Sequence, residues 1–180
     1  MASEIEKKYR LTREEFERIL GDLEDLEVPY EGEDTEENLI FSSESLMAES
    51  AVVRIRRTGK RTVLTYKKWM PDENGMKHHI EHETEVSDPD ELRAIIEGLG
   101  VELSLVYEKI RKTWRVREAE VVLDELPFGL FMEIEGSPEA IREAEMILSA
   151  EDLAQEWETY PRLTQAHGVL NGRVREARFG

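Results

Sequence analysis

Apolar residues recur along the chain at two different spacings, and the switches between them mark out its elements. Glu4-Ile5-Glu6-Lys7-Lys8-Tyr9-Arg10-Leu11 alternates polar and apolar residues as a short strand does, with Glu4, Glu6, Lys8 and Arg10 on one face. Thr12 and Glu15 form a capping box, and Phe16, Ile19, Leu20, Leu23 and Leu26 follow at helical spacing. Strand patterns return over residues 38–43, 51–57 and 62–68, with Thr58-Gly59-Lys60 as a hairpin turn, and all three read as antiparallel. Pro71 to Gly75 reads as a loop and Lys77 to Val86 as a further strand. Asp88 caps a second helix, with Pro89 at its first position, Leu92, Ile95, Ile96 and Leu99 on its buried side and Gly100 as its stop. Strands then run over residues 103–116, 120–126 and 130–135.

The order strand, helix, three strands therefore occurs twice, over residues 3–70 and 76–136, which points to an internal duplication. Glu81-x-Glu83 restates Glu4-x-Glu6, and Lys109-x-Arg111 restates Arg54-x-Arg56. A two-fold-related closed sheet is the natural product. Ser137, with Pro138 after it, caps a helix over residues 139–148, and a further helix is expected to start near Ser149. Residues 169–180, with Arg173, Arg175 and Arg178, read as a frayed basic tail, which leaves residues 1–168 as one domain.

Composition narrows the function. The chain of 180 residues has 41 acids and 24 Lys and Arg, a net charge of −17, and a charge of that sign repels nucleic-acid backbones at long range. The absence of cysteine excludes thiolate metal sites, disulfides and cysteine nucleophiles, and fits a cytoplasmic protein. The longest nearly apolar run, Leu126 to Met132, is far short of the roughly 20 residues that span a bilayer, so no membrane partner is expected. Between Glu14 and Glu37 stand twelve acids and one base, Arg18, read as the wet side of the first helix plus an acidic loop around Pro29 with no chemical role.

On a single strand, charged alternation is usually a solvated face. Here nearly every strand carries it: Glu4, Glu6, Lys8; Arg54, Arg56; Lys67; Glu81, Glu83, Glu85; Lys109, Arg111, Arg115; Asp124; Glu133, Glu135. The opposite faces, with Val53, Ile55, Leu64, Tyr66, Ile80, Ile110, Trp114, Val122 and Ile134, are apolar enough to lie beneath helices, so the charged face of a closing sheet points inward. A barrel of about eight strands can enclose one small ligand, and a charged interior needs a charged ligand to offset its desolvation. The bases suit anionic phosphate oxygens, and the acids suit a hard divalent cation, magnesium or manganese, that bridges to them. In the empty tunnel the clustered bases are expected to repel one another, so that removing one would stabilise the fold. His78 and His82 share a strand face with Ile80 while His79 points the other way, so no zinc site is assigned. Trp69, Trp114, Trp157 and Tyr160 read as structural.

These residues resemble the triphosphate tunnel metalloenzymes, the CYTH domain of class IV adenylyl cyclases, thiamine triphosphatases and inorganic triphosphatases. The resemblance spans residues 3–164 and rests on Glu4-x-Glu6-x-Lys8, Arg54-x-Arg56, Leu64-Thr65-Tyr66-Lys67, Glu81-His82-Glu83, Lys109-x-Arg111, Asp124, Gly129 to Glu135, and Thr159-Tyr160-Pro161-Arg162-Leu163. It implies an α+β fold, a closed eight-stranded antiparallel barrel or tunnel made from the duplicated unit with peripheral helices. It also implies that Glu4, Glu6, Asp124, Glu133 and Glu135 bind Mg²⁺ or Mn²⁺, with Glu81 and Glu83 as further tunnel acids. Lys8, Arg54, Arg56, Lys67, Lys109 and Arg111 would cradle the triphosphate, with Lys8, Lys67 and Arg56 expected to act in catalysis. Two positions depart from the family pattern: Ile40 stands where many members have a tyrosine given a part in placing water, and His79 near a common arginine. The expected activity is metal-dependent hydrolysis of inorganic tripolyphosphate or another simple or organic triphosphate, by a monomer or homodimer. The alternatives are cyclisation of ATP to cyclic AMP and pyrophosphate, and a non-catalytic polyphosphate or nucleotide binding module.

Overall fold

Leu11 ends the first strand, β1 (Ala2–Leu11), and Thr12 turns the chain into α1 (Arg13–Asp25). The Thr12 hydroxyl accepts from the Glu15 N–H at 3.2 Å and the Glu15 carboxylate accepts from the Thr12 N–H at 2.7 Å, so the capping box read from the sequence forms. The structure is a computed structural model that describes residues 2–70 and 77–180, with side chains for residues 5–70 and 78–180. The expected loop over residues 71–75 lies outside the described residues. The chain continues through β2 (Tyr30–Ser42), α2 (Glu44–Ala48), β3 (Ala51–Arg57), β4 (Thr62–Trp69), β5 (Lys77–Glu85), α3 (Pro89–Gly98), β6 (Glu102–Val116), β7 (Ala119–Leu126) and β8 (Gly129–Glu135). After these come α4 (Pro138–Ile147), α5 (Tyr160–His167), β9 (Val169–Asn171) and β10 (Val174–Ala177).

Antiparallel pairing joins the first eight strands in the order β2-β3-β4-β5-β1-β8-β7-β6, and β6 returns to β2 and closes the ring. The expected α+β tunnel from two strand-helix-three-strand units is therefore the observed fold: β1, α1, β2, β3 and β4 make the first unit and β5, α3, β6, β7 and β8 the second. Helices cover the outward apolar face. Phe16, Ile19 and Leu23 of α1 and Ile141, Ala144 and Leu148 of the α4 region pack on Trp114, Val121, Leu123, Met132 and Ile134. Ile19 and Leu23 are fully buried, and each such side chain contributes about 1.5–3 kcal/mol. On the other side Leu92 and Ile96 of α3 close over Leu39, Phe41, Ile55 and Val106. At one end of the barrel Tyr160 and Leu163 of α5 pack on Ile40, Leu105, Tyr107 and Phe131.

Four local readings are corrected. The acidic residues 30–37 are strand, not loop, because β6 presents bases to them in register: Lys112 opposite Glu33, Arg111 opposite Asp34 and Lys109 opposite Glu36. Val122 shares the period-two face of Glu120 and Asp124, while the outward neighbours are Val121 and Leu123 in the helix-covered core. No helix starts near Ser149, whose φ of 47° breaks the helical path. Instead the chain straps across β1, with the Arg10 N–H donating to the Ala154 carbonyl at 2.9 Å and the Glu156 N–H to the Lys8 carbonyl at 2.8 Å. The C-terminal residues are not frayed: β10 pairs in parallel with β6 at residues 105–107, an edge that β7 leaves open because its own pairing starts at Ile110. Arg178 then donates to Glu37, Glu108 and Glu176. Among the described residues no helix is long and apolar enough to cross a membrane.

Candidate active site

Strand alternation turns one face of all eight strands into the barrel, where they enclose a cavity of about 490 Å³. All six bases expected to hold the triphosphate, Lys8, Arg54, Arg56, Lys67, Lys109 and Arg111, line it, together with Glu6, Glu81, Glu83, Glu133 and Glu135. Register fixes their order around the wall. Glu6 of β1 is the partner of Glu135 on β8, which in turn faces Glu120 on β7, and one rung along Lys8 faces Glu133. Glu4 is the backbone partner of His79, and its side chain lies outside the described residues.

Acids and bases alternate through the cavity in two linked networks. In the first, Arg54 reaches Glu81 at 3.1 Å and Glu83 at 3.3 Å, Lys67 reaches Glu81 at 3.1 Å, and Arg56 reaches Glu83 at 3.3 Å. Thr65 donates to Glu83 at 2.7 Å, and His79, fully buried, sits 3.3 Å from Glu81. In the second, Arg111 grips Asp124 with both arms, Nε at 2.7 Å and Nη2 at 2.5 Å, and reaches Glu133 at 2.6 Å. Lys8 lies 3.2 Å from Glu133 and 3.7 Å above the Tyr160 ring. Lys109 lies 3.4 Å from Glu36 and 3.5 Å from Asp124.

Asp124, expected with the metal ligands, is completely buried behind this wall, and the Tyr160 hydroxyl donates to it at 2.7 Å in addition to Arg111. Glu85 and Arg115 stand away from the charged centre: Glu85 pairs with Arg61 at 3.3 Å, and Arg115 pairs with Glu31 and Glu120 while 41% exposed. Sequence reading missed Glu36, Thr65 and Tyr107, all buried on the tunnel wall, and gave Tyr160 only a structural part. For Glu36 a signal existed, since Asp34-x-Glu36-x-Asn38 keeps the strand period once the acidic run is read as strand.

Electrostatics hold Glu36 and Glu133 ionised. Burial works to raise the Glu36 pKa, but Lys109, Arg111, Arg56 and Arg54 outweigh it and lower it from 4.5 to about 2. Glu133 is likewise held well below the carboxylate range, Lys8 and Arg111 overcoming its burial. Burial, then Arg111, pulls the Lys109 pKa down. A carboxylate whose folded pKa is depressed adds stability that is complete above 4.5 and is lost as pH falls toward about 2. Urea midpoints should therefore drop between pH 4.5 and 2, and drop less in Glu36→Gln. Equal acid sensitivity in the two proteins would contradict this.

The site is a closed antiparallel tunnel lined by paired acids and bases, and comparison with known proteins gives it a family. The chain belongs to the CYTH domain family, which matches residues 2–160. Its fold is shared by the PH1012 protein from Pyrococcus horikoshii OT3, at 25% identity and a TM-score of 0.76 over 89% of this chain and 98% of that one. A Hippeastrum protein named as an adenylyl cyclase, and described by its dominant triphosphatase activity, is 20% identical with a TM-score of 0.70 over 93% and 97% of the two chains. The Mimivirus capping enzyme triphosphatase is 10% identical with a TM-score of 0.58 over 84% and 90%. The last two show likeness of fold alone. No curated protein matches the chain.

Proposed function

We propose that this protein is a divalent-metal-dependent triphosphatase that hydrolyses a phosphoanhydride bond of inorganic tripolyphosphate, or of another simple triphosphate, inside the tunnel formed by residues 1–168. The observation that carries the reading is the convergence of six bases from β1, β3, β4 and β6 on one cavity whose β1 and β8 walls carry Glu6, Glu133 and Glu135. Pure anion binding would gain nothing from those carboxylates. Arg54 Nε, buried and without a hydrogen-bond partner among the described residues, is a donor that a phosphate oxygen would satisfy.

The donor chemistry suits a hard cation, and since among the described residues no three such groups already converge on one point, the acids would have to draw together around it. Glu6 and Glu135 are direct register partners, so one rung of the wall carries two carboxylates whose oxygens suit Mg²⁺ or Mn²⁺. Glu4, Glu6, Glu133 and Glu135 would hold the ion. Asp124 would join them only by giving up its bonds to Arg111 or Tyr160. When bound, the cation would neutralise charge developing on the phosphoryl oxygens. Lys8, Arg56 and Lys67 would face the transferred group, each leaving a tunnel carboxylate for a phosphate oxygen, while Arg54, Lys109 and Arg111 fix the rest of the chain. In phosphoryl transfer such positioning and charge stabilisation supply most of the catalysis.

The test is a substrate panel with product identification. Tripolyphosphate, thiamine triphosphate and ATP are each incubated with Mg²⁺ or Mn²⁺ and the products resolved by chromatography. Phosphate release is expected, with tripolyphosphate cleaved much faster than ATP. Cyclic AMP and pyrophosphate as the main products, with tripolyphosphate intact, would establish the cyclase instead.

A further inference from the structure

Glu36 has no part in the mechanism above, yet it is only 3% exposed and lines the cavity. Its carboxylate bridges two substrate-binding bases, with Oε1 3.9 Å from an Arg56 nitrogen and Oε2 3.4 Å from the Lys109 ammonium. Asn38, fully buried, donates to Oε2 at 3.2 Å. Backbone register sets all of these contacts, since Lys109 is the partner of Glu36 and Arg56 the partner of Asn38. Glu36 is thus a fixed group rather than a surface acid that can swing away. Its four cationic neighbours keep it ionised at neutral pH.

Two cations joined by two anionic oxygens is also how a phosphoryl group is held. An acid seated between them opposes such a group twice, by filling the space between the two cations and by repelling its charge. The other tunnel acids do not have this position. Glu83 pairs with Arg56 at 3.3 Å and Asp124 with Lys109 at 3.5 Å, each with one of the two bases, whereas Glu36 lies within 4 Å of both; Glu81 pairs with Arg54 and Lys67, and Glu133 and Glu135 lie on β8.

We propose that Glu36 is a specificity-determining residue: its carboxylate, fixed between Arg56 and Lys109, takes up room and adds negative charge in the tunnel that a longer polyphosphate would have to overcome, so the tunnel takes a triphosphate and turns away longer chains. This rests on the phosphate-binding reading above. Removing the charge should strengthen polyphosphate binding, and most for the longer chain.

The experiment is calorimetric titration of the whole protein with tripolyphosphate and with tetrapolyphosphate, in chelator so that neither is cleaved. Wild type is expected to bind tripolyphosphate more tightly, although tetrapolyphosphate carries more charge. Glu36→Gln should bind both more tightly, with the gain for tetrapolyphosphate about tenfold larger. Glu36→Asp keeps the buried charge, and with it the fold, but draws the carboxylate back, so it should shift the preference the same way by less. Equal gains for both chains, or a loss of affinity, in Glu36→Gln would overturn the proposal, as would an unchanged preference in Glu36→Asp. Wild type that binds neither polyphosphate, in chelator or with Mg²⁺, would overturn the phosphate-binding reading itself; wild type that binds both equally would overturn only the role of Glu36.

Discussion

Chelation is expected to abolish turnover, and Glu135→Gln to lower it by about a hundredfold or more while leaving the fold intact. Glu135 sits in the rung of β1, β8 and β7 carboxylates formed with Glu6 and Glu120, so it is where an ion between the first two strands would draw on the protein. Losing a group that only orients a metal ligand commonly costs 10 to about 100-fold, and losing a ligand's charge costs at least as much. Gln has the same shape and keeps an oxygen acceptor in place, so the melting temperature in chelator should hold. A second readout separates metal binding from catalysis: the affinity for Mn²⁺, followed by the loss of its free-ion magnetic resonance signal, should fall in Glu135→Gln. Full activity in a chelated sample, or unchanged Mn²⁺ affinity in the variant, would contradict the assignment.

The inward arrangement of charge was legible because strand period is strict. Once Arg54 and Arg56, or Lys109 and Arg111, stand two apart, one face carries both, and the helices' apolar stripes say which face is covered. What escaped was whatever register decides. Residues 30–37 have no apolar alternation of their own, and become strand because β6 lays Lys109, Arg111 and Lys112 alongside, so the period of Asp34, Glu36 and Asn38 gains meaning only once the partner strand is known. The C-terminal arginines read as a loose tail for the same reason: Arg178 is fixed by Glu37, Glu108 and Glu176, which come together only after β2 and β6 have paired and β10 has docked. Charge signs are written in the sequence, but their partners are set by closure of the barrel.

Closure also reverses one expectation about stability. Bases clustered in an empty tunnel suggest repulsion, and thus variants more stable than wild type, but the structure gives each base an acid. Arg111 is the clearest case. Its guanidinium forks onto Asp124, completely buried, and onto Glu133, whose side chain is 11% exposed. Arg111→Ala would leave two carboxylates close together, answered among the described residues by Lys8, Lys109 and the Tyr160 hydroxyl with Lys67 further off. Stripping one partner from a buried pair costs about 3–5 kcal/mol, a large fraction of the stability of a domain this size. Arg111→Lys should recover only part, because an ammonium cannot supply the parallel Nε and Nη2 bonds to Asp124. The pH dependence should change sign as well. In wild type, Glu133 is held well below the usual carboxylate range and contributes stability above it. Without Arg111 the burial that already works against the Glu133 charge is opposed less strongly, so the variant should regain stability as the pH falls and Glu133 takes up a proton. Urea unfolding of the three proteins at pH 7 and pH 5 checks this. The expected order at pH 7 is wild type, then Arg111→Lys, then Arg111→Ala, with the gap to wild type narrowing at pH 5; an Arg111→Ala protein as stable as wild type at pH 7 would restore the repulsion account.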